Sequence, residues 1–276
     1  MLELEAASRH KDGLAVAIRK LRKHAGLTGE RLGARCAMSQ SKISKIETGR
    51  IVPSVLDVER ILHALDAPAT VTAEVTALAR LANTEFQDTR SLLRKGLEKK
   101  QYELSSLETA TTDFRFFLPA MMGSLISTPD YIRASLAHVR GSTEKAVAKK
   151  LERQSVLYDT SKKFTFVLTE SAVRWPVCEP AILAAQLDHL ISLSRLPNFR
   201  LGVIPVLARQ LRGPLNTFTV YDEWLVTAET FAGVVVMRDP HDVALHLDLF
   251  ARFEQAAIFG DMARKSIAEW GHDLRH

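Results

Sequence analysis

The sequence predicts a multidomain chain: an all-α N-terminal domain organised around a helix-turn-helix, followed by an α+β C-terminal domain with a small sheet and covering helices. Three observations carry this. Residues 28–49 read as two short capped helices joined by a tight turn. Downstream of residue 160, segments of strand period alternate with segments of helical period. The positive charge is concentrated at one end, with 18 Lys/Arg against 12 Asp/Glu over residues 1–100 and a near-neutral remainder.

The stretch Met38-Ser39-Gln40-Ser41-Lys42-Ile43-Ser44-Lys45-Ile46-Glu47-Thr48-Gly49-Arg50 organises the first domain. Ser39 is a good N-cap, because its hydroxyl accepts a backbone N–H that the first turn leaves unpaired. Gly49 is a good stop, because a residue without Cβ takes the left-handed conformation at little cost. At about 100° per residue, Gln40, Ser41, Ser44 and Lys45 share one face, while Ile43, Ile46 and Glu47 share the other. A helix that reads DNA needs that division: short polar side chains let the backbone approach base edges, which amides and cations then reach. Upstream, Thr28 caps a second short helix with Leu32 and Cys36 inward, and Ala37-Met38 joins the two. That arrangement places the second helix in a major groove.

The length of 276 residues suits two domains. The net charge of +5 comes from the N-terminal side, which points to nucleic acid as the partner there. Only two cysteines, Cys36 and Cys178, are present, far apart in the chain. They exclude a disulfide framework or a cysteine-rich zinc site and suit a reducing cytoplasm, with each thiol a small buried hydrophobe. The polar opening residues do not read as a signal peptide, and no apolar run reaches the about 18 residues of a membrane span.

In chain order, residues 1–11 read as a tail. Leu14, Ala15, Ala17, Ile18 and Leu21 give a helical period ending near Ala25-Gly26, with Arg19, Lys20, Arg22 and Lys23 on it. After the helix-turn-helix, Ser54 caps a helix with Val55, Val58, Ile61, Leu62 and Leu65 inward, and residues 71–83 read as a fifth. The helix-turn-helix domain is thus expected over residues 12–83, a basic linker over 84–100 and the α+β domain over 101–276. Tyr102, Leu104, Leu107, Ala110 and Phe114 suggest a helix entering that domain. Helices are expected over 129–139, 144–158 and 180–196, and strands over 164–168 and 200–204. Residues 218–221, 225–230 and 234–237 read as a meander. A long helix starts after Asp239-Pro240, with Asp239 as its cap, and is read as continuing to Ile267.

Residues 14–65 resemble the Xre-type, phage-repressor-like helix-turn-helix family. The carrying residues are Leu14, Arg19 and Arg22, Gly26-Leu27-Thr28, Leu32-Gly33-Ala34, the run from Met38 to Arg50, and Pro53-Ser54. The resemblance implies sequence-specific binding of double-stranded DNA through Thr28, Gln40, Ser41, Lys42, Ser44, Lys45 and Arg50. Gln40, Ser41, Ser44 and Lys45 are expected at bases, and Arg50 and Lys42 at phosphates. It also implies a structural ion pair between Arg22 and Glu47. The family usually carries Gly where this chain has Ala37; a left-handed residue there costs about 1–2 kcal/mol through its Cβ. Where the family often has Gln, this chain has Gly29.

The remainder, about residues 100–270, resembles the DUF5753 domain that follows such modules in antitoxin-like transcriptional regulators of actinobacteria. The carrying residues are Leu118-Pro119 through Thr128-Pro129-Asp130-Tyr131, Arg153-Gln154, Phe166 to Glu170, Gln186-Leu187, Val203-Ile204-Pro205, Phe218 and Tyr221-Asp222. This implies a DNA-binding regulator paired with a small acidic protein encoded nearby; a homodimer is expected separately, because one helix-turn-helix covers only a few base pairs. Partner or ligand contacts are expected at Met121, Met122, Arg153, Gln154 and Glu170. The methionines carry the protein contact because their side chains adapt to varied surfaces, and Arg153 and Gln154 are placed near Glu170 in a polar network.

Catalytic and cofactor motifs are absent from the sequence: G-x-S-x-G, a P-loop, G-x-G-x-x-G and H-E-x-x-H do not occur. The nearest metal-like group is Asp239, His241, Asp242, His246 and Asp248. His241 and His246 are five apart, on nearly opposite helix faces, so capping and solvation account for them and no metal is expected. No cofactor and no enzymatic activity are expected. Two readings of the second domain stand: a platform for dimerisation and a partner protein, or a binding domain for a small-molecule effector.

Overall fold

The computed structural model describes residues 2–88, 107–139, 142–209 and 213–275. The chain divides into two compact units, residues 1–86 with 235–244, and residues 87–234 with 245–276. No helix among the described residues is long and apolar enough to cross a membrane.

The first unit contains α1 (Leu2–His24), α2 (Gly29–Arg35), α3 (Gln40–Glu47), α4 (Val55–Ala64) and α5 (Ala69–Asn83). Helix α1 therefore begins inside the stretch read as a tail. The hydroxyls of Thr28, Ser39 and Ser54 cap α2, α3 and α4, accepting from the N–H groups of Arg31, Lys42 and Asp57. Each satisfies a donor that a helix start leaves orphaned. Helices α1 to α4 all end in the same way. A left-handed residue (Gly26, Ala37, Gly49, Asp66) follows the last turn. The next N–H then reaches back to Arg22, Gly33, Lys45 and Leu62 carbonyls. This Schellman closure pairs carbonyls that would otherwise face solvent alone. Leu14, Ile18, Leu32, Cys36, Ile43, Ile46, Val58, Ile61 and Val75 form one core.

In the second unit the sheet runs β6-β5-β2-β3-β4-β8. The strands are β2 (Asp113–Leu118), β3 (Lys163–Thr169), β4 (Phe199–Ile204), β5 (Phe218–Tyr221), β6 (Leu225–Glu229) and β8 (Ile258–Phe259). Two further short strands fall where the chain passes from one unit to the other: β1 (Thr84–Asp88), within the stretch expected as linker, and β7 (Gly233–Met237). Strands β2, β3 and β4 are parallel neighbours, and β5 and β8 flank them antiparallel. The connections carry α6 (Pro129–Ser135), α7 (Glu144–Arg153), α8 (Glu170–Arg174) and α9 (Pro180–Leu193); α10 (Pro240–Ala256) and α11 (Gly260–Asp273) close the chain. Phe114, Phe116, Phe164, Phe166 and Phe199 stack in a ladder along one face of the central strands. Phe117 points to the opposite face, stacked on Phe253 at 4.0 Å.

Two expectations for this unit are corrected. Phe114 lies in β2 and not on an entering helix; residues 107–110 are helical, and the chain then turns extended. Residues 101–106 lie outside the described ones. The final helix does not continue to Ile267: it stops at Ala256, and Ile258 and Phe259 pair with Val203 and Gly202 before α11 begins. Gly260, at φ 62°, turns the chain between them. Gly202 admits Phe259, whose ring would stand 2.5 Å from a Cβ at that position.

Candidate DNA-binding site

The site is α3 with its supports. Ile43 and Ile46 are buried, whereas Gln40, Ser41, Ser44, Lys45 and Arg50 are exposed. None of these five polar side chains has a hydrogen-bond or ion-pair partner among the described residues. Thr28 is also exposed, but its hydroxyl is occupied as the cap of α2. The row on α3 is thus polar, solvated and unspent.

The far end of the helix is held by Arg22 of α1. Its Nε donates to Glu47 Oε1 at 2.5 Å and its Nη2 to Glu47 Oε2 at 2.7 Å, a bidentate pair. A third N–H reaches the Leu27 carbonyl at 2.7 Å, in the segment that leads into α2. The hydrogen bond to Glu47 raises the Arg22 pKa further above its ordinary value, against an opposing effect of burial. The two side chains are 15% and 9% exposed, so removing one leaves the other charged in a poorly solvated place.

The near end is held differently. Lys42 Nζ donates to Asp57 Oδ1 at 2.8 Å, in the first turn of α4. Lys42, expected at a phosphate, is therefore engaged within the unit in this structure. Asp57 was missed as a site residue. Its signal was present in the spacing Ser54-x-x-Asp57, which marks a capped helix start with a carboxylate at the third position.

Between α2 and α3 the chain makes its closest approach. A Cβ at Gly33 would lie 2.6 Å from the Met38 carbonyl oxygen. Only glycine allows the two helices to meet there. Ala37 sits at φ 55°, so the left-handed turn is made without glycine, with the Cβ cost of about 1–2 kcal/mol.

In the second unit the motif residues converge on one loop, 119–128. Thr169 Oγ1 donates to the Pro119 carbonyl and the Met122 N–H to Tyr131 Oη. Gln154 Nε2 donates to the carbonyls of Ser124 and Ser127, at 2.8 and 2.7 Å. Gln186, fully buried, accepts from the Thr128 N–H and donates to the Ile126 carbonyl. Burial pushes the Tyr131 hydroxyl up to about 12. The loop exposes Met121 at 37% and buries Met122 at 2%, so the two methionines do not act alike: Met122 is core.

Arg153 does not pair with Glu170. It is bound by Glu108, through Nη2 to Oε1 and through Nε to Oε2 at 3.2 Å. Glu170 instead accepts from Arg174 at 2.7 Å and from the Val206 N–H at 3.0 Å. These bonds hold its pKa below the usual range, although burial opposes them as the largest single influence. Glu108 was missed, because nothing in the sequence ties it to a residue 45 positions on. Asp222, at φ 48°, accepts from the N–H groups of Thr112 and Asp113 and so ties the β5–β6 turn to the start of β2.

Asp239 caps α10 by accepting from the His241 N–H at 2.9 Å. Among the described residues no group of three or more His, Cys, Asp or Glu is placed to hold a metal ion. Both cysteines are free.

Comparison with known proteins adds the following. A helix-turn-helix domain family matches residues 14–83, and the DUF5753 family, a domain of unknown function, matches residues 101–269. No curated protein matches. Among solved structures, the chain is similar to a phospholipase D family member, Nuc, from Salmonella typhimurium, at 12% identity, TM-score 0.38, covering 64% of this chain and 97% of that one. It is similar to NucT from Helicobacter pylori at 10% identity and TM-score 0.37, covering 63% and 97%. A third likeness is to TrmBL2, an archaeal chromatin protein, at 14% identity and TM-score 0.32, covering 72% and 65%. Likenesses this distant assign no function.

Proposed function

The chain belongs to the DUF5753 family and carries a helix-turn-helix domain, and from that premise we propose that it is a sequence-specific, antitoxin-like transcriptional regulator. One observation carries the reading: α3 is anchored at both ends by ion pairs while its polar row is left unpaired and exposed. A helix held rigidly with free amide, hydroxyl and ammonium groups loses little entropy when those groups meet base edges. Gln40, Ser41, Ser44 and Lys45 take the bases, and Arg50 a phosphate. We assign no catalytic role.

The finer part of the proposal concerns the second domain. It dimerises the protein and receives a small acidic partner protein. A single helix-turn-helix covers few base pairs, so pairing two raises affinity without new chemistry. The clamped loop 119–128 supports the partner role, because its backbone is already ordered and Met121 stands outward on it.

Selection of duplexes from a random pool tests the DNA-binding reading. Enrichment of a roughly palindromic site is expected, with half-sites about 34 Å or a multiple apart. Failure to enrich any sequence, at low salt as well as high, would sink it. Sedimentation as a monomer at micromolar concentration, free and on DNA, would remove the dimer.

A further inference from the structure

Resting on the DNA-binding reading, we propose that Asp57 is a positioning residue that withdraws Lys42 from the DNA backbone, so that the first turn of α3 offers DNA only uncharged groups. Lys42 lies on the turn that carries Gln40 and Ser41, and its ammonium is bound to Asp57 at 2.8 Å. The Lys42 side chain is 39% exposed and that of Asp57 15%, so the pair stands at the edge of the surface with the carboxylate the better anchored. The Asp57 N–H is fixed by the Ser54 cap at 3.1 Å. Its carboxylate stands in the first turn of α4, where the unpaired N–H groups of the helix favour negative charge.

The consequence is electrostatic. With Lys42 turned toward α4, the cations between Gln40 and Arg50 without a partner among the described residues are Lys45, in the last turn of α3, and Arg50, just beyond it. A phosphate contact carries no sequence information, and each adds about 0.9 to the slope of log affinity against log salt. Asp57 therefore lowers sequence-independent binding and leaves a larger share of the affinity to Gln40, Ser41 and Ser44.

The test uses the full-length protein, a labelled random-sequence duplex of about three helical turns, and anisotropy titrations between about 50 and 200 mM salt. Wild type and Lys42→Met are expected to share one slope. Asp57→Asn is expected to steepen it by about 0.9 for each chain bound, widening the affinity loss across that salt range about threefold. Adding Lys42→Met to Asp57→Asn restores the wild-type slope, and Asp57→Glu keeps it. The Lys42→Met arm stands even where Asp57→Asn lowers the melting temperature. A shallower slope in Lys42→Met overturns the proposal, because Lys42 then holds a phosphate despite Asp57. An unchanged slope in folded Asp57→Asn overturns it as well. Absent or salt-independent binding by the wild-type protein overturns the DNA-binding reading itself, and this inference with it.

Discussion

The two units treat their polar motif residues in opposite ways. On α3, Gln40, Ser41, Ser44 and Lys45 are exposed and have no partner among the described residues. In the second unit, Gln154, Gln186, Thr169 and Asp222 are spent on backbone groups of neighbouring loops. Both sets stand out in the sequence to the same degree. Only the first is available to a ligand. The second holds a shape, and what that shape presents, Met121, is a residue with no polar chemistry at all. A motif residue thus indicates binding when the fold leaves its hydrogen bonds open, and architecture when the fold consumes them.

Four substitutions sharpen or break this contrast. The largest effect is expected where a charged pair supports the open face. Glu47→Ala should cost the first unit about 3–5 kcal/mol by stranding Arg22, read by urea denaturation, with DNA binding lost only as folding is lost. An unchanged unfolding midpoint would show that the pair contributes nothing. Next is a clamp of the second unit. Gln186→Leu leaves the Ile126 carbonyl and Thr128 N–H without their partner and should cost about 2–3 kcal/mol of that unit's stability. If the variant is as stable as wild type, the glutamine is not structural and the contrast collapses.

The open face should behave in the reverse manner. Gln40→Ala is expected to leave the melting temperature in place while costing about 1–3 kcal/mol of affinity and relaxing one operator position. A melting temperature that falls with affinity intact would place Gln40 among the structural residues. The smallest effect is at the turn. Ala37→Gly removes the Cβ cost of the left-handed conformation but adds unfolded-state entropy, for a net gain of about 0.5–1 kcal/mol. Destabilisation there would mean that Ala37 is better fitted to its turn than its φ of 55° implies.

What was legible in the sequence follows from range. The caps at Thr28, Ser39 and Ser54 each bind an N–H three residues on, and Gly26 and Gly49 close helices through carbonyls five residues before their successors. Such contacts lie within about one and a half turns, so residue type and spacing are enough to find them. The five-helix order and the division of α3 into an apolar and a polar face followed from these signals and the helical period.

Strand β2 was read into an entering helix, because its alternation, Asp113-Phe114-Arg115-Phe116, is short and breaks at Phe117-Leu118. Its pairing is set by β3, some 50 residues on, and by β5, about 100 residues on, as in Phe116 facing Phe166 and Thr219. The break after Ala256 depends on Gly202, again far away in the chain. Two ion partners were hidden for the same reason: Arg153 takes Glu108 and not Glu170, and Lys42 takes Asp57. A charge specifies the sign of its partner and nothing about which one the fold brings within reach. The sequence by itself determined the helix-turn-helix and the residues of its outward face. The tertiary structure alone decided which polar side chains are consumed, since a side chain is free only when no distant element has been packed against it.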